Sequence, residues 1–522
     1  MRKFKIFSIL IVMTMLLVTT LSISAQSSID GSGWWTNFTI QNTTSNAATV
    51  ATVGYHPTGG SSDTYSDSTV LNGNTSVIFH PGLGATCPDT VNAASSGCRI
   101  GLTPSLPSGF QGSVVISSDS PVVAVTSLNN NASGSVGVSS GTARSSYQGI
   151  DGSVASDTLY FPTVKRDFSG QSTIFFVQAA GSEANVTITY EMNDGSTHTQ
   201  NQTIAANKMF AFAPSAATPP VASCNGGNGG GSAVAACFGG ATVTSSSGPI
   251  AGVVVEYITN ASTASYVLAS RGLTPTDAGT EIIAPAMKND FNGSTTGATI
   301  LNTGGSTAQV TIESTVTNVS SGCSANIGQV YTQNVSIPSG SSIVVNRFQG
   351  NTGTGHPNCT FYTMKATSTN SQPIVMTVNE NRNYLGQTVK AVYAGFNVDS
   401  ATNTVFFPLS KEFLNGQTSG LSVVNAGTTS TKITGTFTCS DGTHVIETSS
   451  NVAAGAAVAF FNLSGGNSNF TAVSGGMPSA DVKCSVVMTS NGGQPLVGLA
   501  QESDRDSSNG VLDITNYEGF NQ

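Results

Sequence analysis

The sequence predicts an all-β protein of four tandem two-sheet sandwiches, about 123 residues each, and three observations carry that. First, Phe161-Pro162-Thr163-Val164-Lys165-Arg166-Asp167-Phe168-Ser169-Gly170 returns as Ala284-Pro285-Ala286-Met287-Lys288-Asn289-Asp290-Phe291-Asn292-Gly293. It returns again as Phe407-Pro408-Leu409-Ser410-Lys411-Glu412-Phe413-Leu414-Asn415-Gly416, and the three prolines stand 123 residues apart. A fixed period of this length marks one structural unit used several times. Second, apolar runs of five to eight residues alternate with turn residues, and no long helical period appears. Third, the eight cysteines fall two to a repeat.

Taken in order, the chain opens with Arg2, Lys3 and Lys5 ahead of the apolar run Ile6 to Val18, and Ile23-Ser24-Ala25 precedes Gln26. Residues 1–25 therefore read as a secretion signal cleaved after Ala25. The repeats follow as 26–157, 158–280, 281–403 and 404–522. The first begins at Trp34-Trp35-Thr36-Asn37-Phe38-Thr39-Ile40-Gln41-Asn42 and has no apolar–apolar–Pro segment before it, so its opening strand is missing. In the second the runs are Thr173–Gln178, Ala184–Tyr190, Gln202–Phe212, Ala241–Ser245 and Ile250–Tyr257, with Asn193-Asp194-Gly195 as a hairpin turn. Pro121, Pro249, Pro373 and Pro495 each precede a late apolar strand. Tyr147-Gln148-Gly149-Ile150, Tyr393-Ala394-Gly395-Phe396 and Tyr517-Glu518-Gly519-Phe520 close three repeats, with Ser270-Arg271-Gly272-Leu273 as a weaker copy. Two antiparallel sheets packed face to face bury one side of such strands, which is an immunoglobulin-like arrangement.

Behind a signal, two cysteines per repeat read as four intradomain disulfides: Cys87–Cys98, Cys224–Cys237, Cys323–Cys359 and Cys439–Cys484. No Cys-x-x-Cys pair offers a metal site. Seven residues after the late proline stand Glu256, Glu380 and Glu502, but Leu128 in the first repeat, which also lacks the opening-strand lysine. Both partners are absent together. That predicts intradomain ion pairs Lys165–Glu256, Lys288–Glu380 and Lys411–Glu502, with a Lys–Asn isopeptide promoted by the glutamate as the alternative.

Losing residues 1–25 removes three basic and no acidic residues and takes the formal charge from −9 to −12. An acidic, lysine-poor surface repels phosphate backbones, so nucleic acid is not an expected partner. No later stretch is long and apolar enough to span a membrane. The five histidines are scattered singly, and no Gly-x-Ser-x-Gly elbow or phosphate loop occurs, so no catalytic residue and no cofactor are assigned. Glu502, Asp504 and Asp506 at alternate positions are the calcium candidates. Trp34 and Trp35 are adjacent on a strand and point to opposite faces, so one is expected in the core and the other outside, where a sugar ring could stack.

Trp35-Thr36-Asn37-Phe38-Thr39-Ile40-Gln41-Asn42, the Gly112-Ser113-Val114-Val115-Ile116-Ser117-Ser118-Asp119-Ser120-Pro121 run and the Tyr-x-Gly endings resemble tandem sandwich repeats of bacterial secreted and cell-surface proteins. That resemblance implies surface-layer, sheath, filament or adhesive material without enzymatic residues. Together these readings give a secreted structural rod that associates with itself or with other surface proteins, joined by strand docking at the first repeat. The alternative is an adhesin or carbohydrate-binding surface protein with glycans as partners.

Overall fold

The computed structural model describes Ile29 and residues 33–46, 49–57, 65–79, 98–99, 110–130, 143–227, 229, 234–259, 266–346, 357–384, 387–414, 416–461, 470–474, 481–504 and 514–521. The expected signal 1–25, Cys87 and Asp506 lie outside these residues. Among the described residues the chain is all strand and turn, broken by three single-turn 3-10 segments.

The first repeat supplies β1 (Trp34–Asn42), β2 (Thr49–Pro57), β3 (Tyr65–Leu71), β4 (Ser76–Phe79), β5 (Cys98–Arg99), β6 (Gly112–Ser118), β7 (Val122–Asn130) and β8 (Ala143–Gln148). They form a five-stranded sheet, β5-β4-β1-β7-β8, and a three-stranded one, β3-β2-β6. The second adds an opening strand, β9 (Thr158–Lys165). It continues with β10 (Gln171–Ala179), β11 (Ala184–Met192), β12 (Thr197–Ile204), β13 (Met209–Phe212), β14 (Phe238–Ser245), β15 (Ile250–Ile258) and β16 (Val267–Arg271). Its sheets run β12-β11-β14-β9 and β13-β10-β15-β16. The expected run Gln202–Phe212 is two strands, because the chain turns at Asn207 with φ 59°.

The third repeat holds β17 (Glu281–Asn289), β18 (Ser294–Asn302), β19 (Ala308–Val319), β20 (Val330–Ile337), β21 (Ser342–Asn346), β22 (Thr360–Ser368), β23 (Ile374–Tyr384), β24 (Gln387–Ala394) and β25 (Phe396–Asn397). The fourth holds β26 (Thr404–Glu412), β27 (Gln417–Asn425), β28 (Ile433–Cys439), β29 (His444–Ser449), β30 (Ala457–Phe461) and β31 (Phe470–Ser474). It ends with β32 (Val482–Ser490), β33 (Leu496–Asp504), β34 (Ile514–Glu518) and β35 (Phe520–Asn521). Their sheets are β20-β19-β22-β17-β25 with β21-β18-β23-β24, and β31-β29-β28-β32-β26-β35 with β30-β27-β33-β34.

Within the second repeat the two sheets share one buried cluster. Leu159, Phe161 and Val164 of the opening strand meet Phe175, Val177, Ile188, Tyr190 and Val243 there. Burying each such side chain stabilises by about 1.5–3 kcal/mol, so the opening strand is a substantial part of the core. The repeating proline explains itself in this setting. Proline has no N–H to give the ladder, and the pairing of β17 with β22 and of β26 with β32 shifts register at Pro285 and Pro408. The Tyr hydroxyl of the closing marker compensates: Tyr393 donates to the carbonyl of Ala286 at 2.9 Å, and Tyr517 donates to that of Leu409. The glycine eight places after each proline ends the opening hairpin in left-handed backbone, at φ 73°, 77° and 78° for Gly170, Gly293 and Gly416. Gly33 holds the same place before β1 with φ 77°.

The four repeats do not string out into a rod. Their closing strands touch in a cycle: β8 lies against β16, β16 against β24, β24 against β34, and β34 against β8. Each opening strand also lies on the next repeat: β9 on β18 and β23, β17 on β27 and β33, and β26 on β1 and β7 of the first. Ser485 donates to the carbonyl of Asn74, 411 residues away, and Val123 shares an apolar cluster with Phe406 and Phe520. A rod keeps its first and last units apart; here they are in contact, and the expectation of a rod is corrected to a closed ring.

Candidate functional site

Two features are built from the repeating residues. One is a buried polar knot between the opening strand and the late strand; the other is the place in the first repeat where, among the described residues, neither that knot nor its strand is found.

In the second repeat Lys165 Nζ lies 2.9 Å from Glu256 Oε1 and 2.5 Å from Gln171 Oε1. In the fourth, Lys411 Nζ lies 2.7 Å from Glu502 Oε2 and 2.8 Å from Gln417 Oε1. The glutamines follow the hairpin glycine directly, so one turn delivers lysine and amide together. In the third repeat Ser294 stands after that glycine, and the amide comes from the neighbour. Lys288 Nζ meets Glu380 Oε1 and Gln501 Oε1, each at 2.7 Å, while Gln501 Nε2 donates to Glu380 Oε2 at 2.6 Å. The pairs lie out of solvent: Lys288 and Glu380 are 6% and 1% exposed, Lys165 and Glu256 are buried, and Glu502 is buried against a partly buried Lys411. Burial alone would raise the Glu380 carboxyl, but the Lys288 ammonium and three hydrogen bonds hold it below the usual range. The amide that each lysine meets is a glutamine, not the asparagine of the isopeptide alternative.

The first repeat replaces this knot wholesale. Its strand register puts Leu128 opposite Thr36, as Glu256 is opposite Thr173, and Trp34 follows Gly33 where Gln171 follows Gly170. Trp34 and Leu128 join Ile29 and Tyr147 in a cluster with Ile174, Phe176, Val253, Val255 and Tyr257 of the second repeat. On the matching faces of the third and fourth repeats most of these residues are small or polar, among them Gly297, Thr299, Thr377 and Asn379, and Gly420, Ser422 and Gln501, with Leu499 the apolar exception. Those faces receive a neighbour's opening strand: Ser422 donates to the Pro285 carbonyl at 3.2 Å. At the first–second seam bulky side chains fill the outer side of the missing strand.

The inner side is different. β14, β22 and β32 each pair with an opening strand; among the described residues none pairs with the outer edge of β6. Phe110, Val114, Ile116, Val122 and Ala124 are only partly buried around Phe38, Ile40, Leu71, Val77 and Phe79. A Cβ at Gly272 would meet Phe161 at 2.8 Å and one at Gly395 would meet Ile282 at 2.7 Å; one at Gly519 would collide with Val405. At Gly149 the nearest atoms all belong to Ala124, its carbonyl oxygen at 3.1 Å and its Cβ at 3.4 Å, and no ring is among them.

The remaining sequence-predicted residues fall as follows. Cys224–Cys237, Cys323–Cys359 and Cys439–Cys484 are bonded, with Cα separations of 5.8, 5.7 and 3.9 Å. The last joins directly paired residues of β28 and β32. Cys98 opens β5, but its expected partner lies outside the described residues. Glu502 is engaged by Lys411, which takes one ligand from the calcium candidates; Asp504 ends β33, and no metal-binding cluster occurs among the described residues. Trp34 and Trp35 are both half-buried, so the expected division into core and exposed partners does not hold. His198 is buried, its ring bonded to the Pro219 carbonyl at 2.8 Å and to Ser196 Oγ at 3.0 Å. Among the described residues no helix is long and apolar enough to cross a membrane.

Two polar contacts at the ring's centre were not legible. Glu518 accepts from the Ala394 N–H of the third repeat, and burial pushes its carboxyl up despite Arg271 nearby. Lys390 lies 4.3 Å from the Tyr266 ring centre, and burial lowers its ammonium to about 8.

No family model matches the chain. No curated protein matches it in sequence. Among solved structures, the crystal structure of Thermotoga maritima 1070 aligns with 23% of this chain and 95% of its own, at 19% identity and a TM-score of 0.18. A tetra-tandem repeat in the extending region of a large adhesion protein aligns with 95% of this chain and 98% of its own, at 12% identity and a TM-score of 0.11. Likeness at that level fixes neither fold nor function.

Proposed function

We propose that this chain is a secreted, non-enzymatic structural protein: four immunoglobulin-like sandwiches closed into a ring, built into an extracellular filament, sheath or surface layer through a strand docked at the first repeat. The observation that carries this is the outer edge of β6, unpaired among the described residues and beside a partly buried apolar core, where three sibling edges are covered. An open edge of unpaired N–H and C=O groups is a template for another strand. The other supports are physical. Disulfides persist outside the reducing cytosol, and a chain with 9% charged residues presents serine, threonine and asparagine surfaces that suit lateral packing. Negative-stain microscopy of secreted material, with mass spectrometry of the ordered fraction, tests the reading. The chain is expected in filaments or layers; finding it only as free particles would overturn it.

A further inference from the structure

We propose that the strand taken up at β6 is an uncharged, aromatic-bearing segment of a different polypeptide, and that the first repeat is built to refuse this chain's own opening strands. The proposal rests on the reading of β6 as a docking edge and adds the identity of what docks. In the second repeat Phe161 pairs opposite Ala241 and Leu159 opposite Val243, antiparallel. Tyr190 faces Ala241 and Tyr55 faces Val114, so the same register sets the aromatic opposite Val114 and the leucine opposite Ile116. The aromatic ring then has its seat over Gly149 and Ala124, as Phe161 sits over Gly272 and Gly252.

Charge decides the donor. Every opening strand of this chain carries a lysine, Lys165, Lys288 or Lys411, matched by a buried glutamate and an amide. In the first repeat Leu128 and Trp34 hold those places. A lysine brought there would be buried without a counter-charge, which costs far more than strand pairing returns. The opening strands of a second copy are thus the wrong donors, and the docked segment has an apolar residue where its siblings have lysine. The slot continues the interface that β9, β17 and β26 already make, each pairing within its own repeat while lying on the next.

Three synthetic peptides test this on the intact, disulfide-bonded chain: a copy of Thr158–Lys165, the same peptide with Lys165→Leu, and the leucine peptide with Phe161→Ala. The leucine peptide is expected to bind at least tenfold tighter than the other two and to slow hydrogen exchange at Val114–Ser118. Equal binding of the lysine and leucine peptides would overturn the charge argument, as would self-association of the chain through β6. Slow exchange at β6 without peptide would overturn the docked strand. Ordered layers formed by a chain that takes up none of the three peptides would sink this inference alone; peptide binding by a chain never found in a layer would sink only the structural function.

Discussion

Lys288 of the third repeat and Gln501 of the fourth meet across a repeat boundary, Nζ to Oε1 at 2.7 Å, over a glutamate that touches both. The contact ties the opening strand of one repeat to the late strand of the next, so the polar knot is part of how the ring is held.

Removing one partner is therefore costly. Lys288→Met leaves Glu380 buried and unpaired, and should destabilise by about 3–5 kcal/mol, whereas Lys288→Met with Glu380→Leu should recover most of that loss. Urea midpoints of the single and double variants read the difference. Equal losses would place the knot's worth elsewhere.

Acid should weaken the same contact. The Glu380 carboxyl is held below its ordinary range, so its stabilisation is complete above the unfolded value, about 4.3, and is lost as pH falls through the lower folded value. Stability of the wild type should drop more steeply below about pH 4 than that of Glu380→Gln.

Glu518 has the opposite sign. Its folded value is raised, so its contribution is fullest below the unfolded value and lost as pH rises through the folded one. Glu518→Gln keeps a carbonyl for the Ala394 N–H and should gain in stability on the wild type as pH rises from 4 to 7, read from urea midpoints at each pH. A parallel pair of pH profiles would count against a buried carboxyl at the ring's centre.

The disulfides differ in the loop they close. Cys439 and Cys484 are 45 residues apart and Cys224 and Cys237 are 13 apart. Loop-closure entropy predicts about 1 kcal/mol more loss for alanine pairs at the former, read from thermal unfolding of the two variants.

What the sequence made legible was whatever recurs at fixed spacing: the strands, the opening proline and its hairpin glycine, and the Lys–Glu partners, which vanish together in the first repeat. Gln171 and Gln417 also recur, yet Ser294 breaks their series, and Gln501 carries no local signal of serving Lys288. Ring closure was hidden for the same reason. Whether Val123 meets Phe406 depends on the angle between consecutive repeats, which side-chain packing at each seam sets and no periodicity encodes. The compensation at the first seam is visible only in three dimensions, since Phe176 and Val253 read as ordinary strand residues until the missing neighbour is seen.

Small-angle scattering of residues 26–522 in dilute solution tests ring closure most directly. A closed four-repeat particle of this length predicts a radius of gyration of about 23 Å. A value near twice that, on the order of 45 Å, is what four blocks in line would give, and it would contradict the contact between the first and fourth repeats.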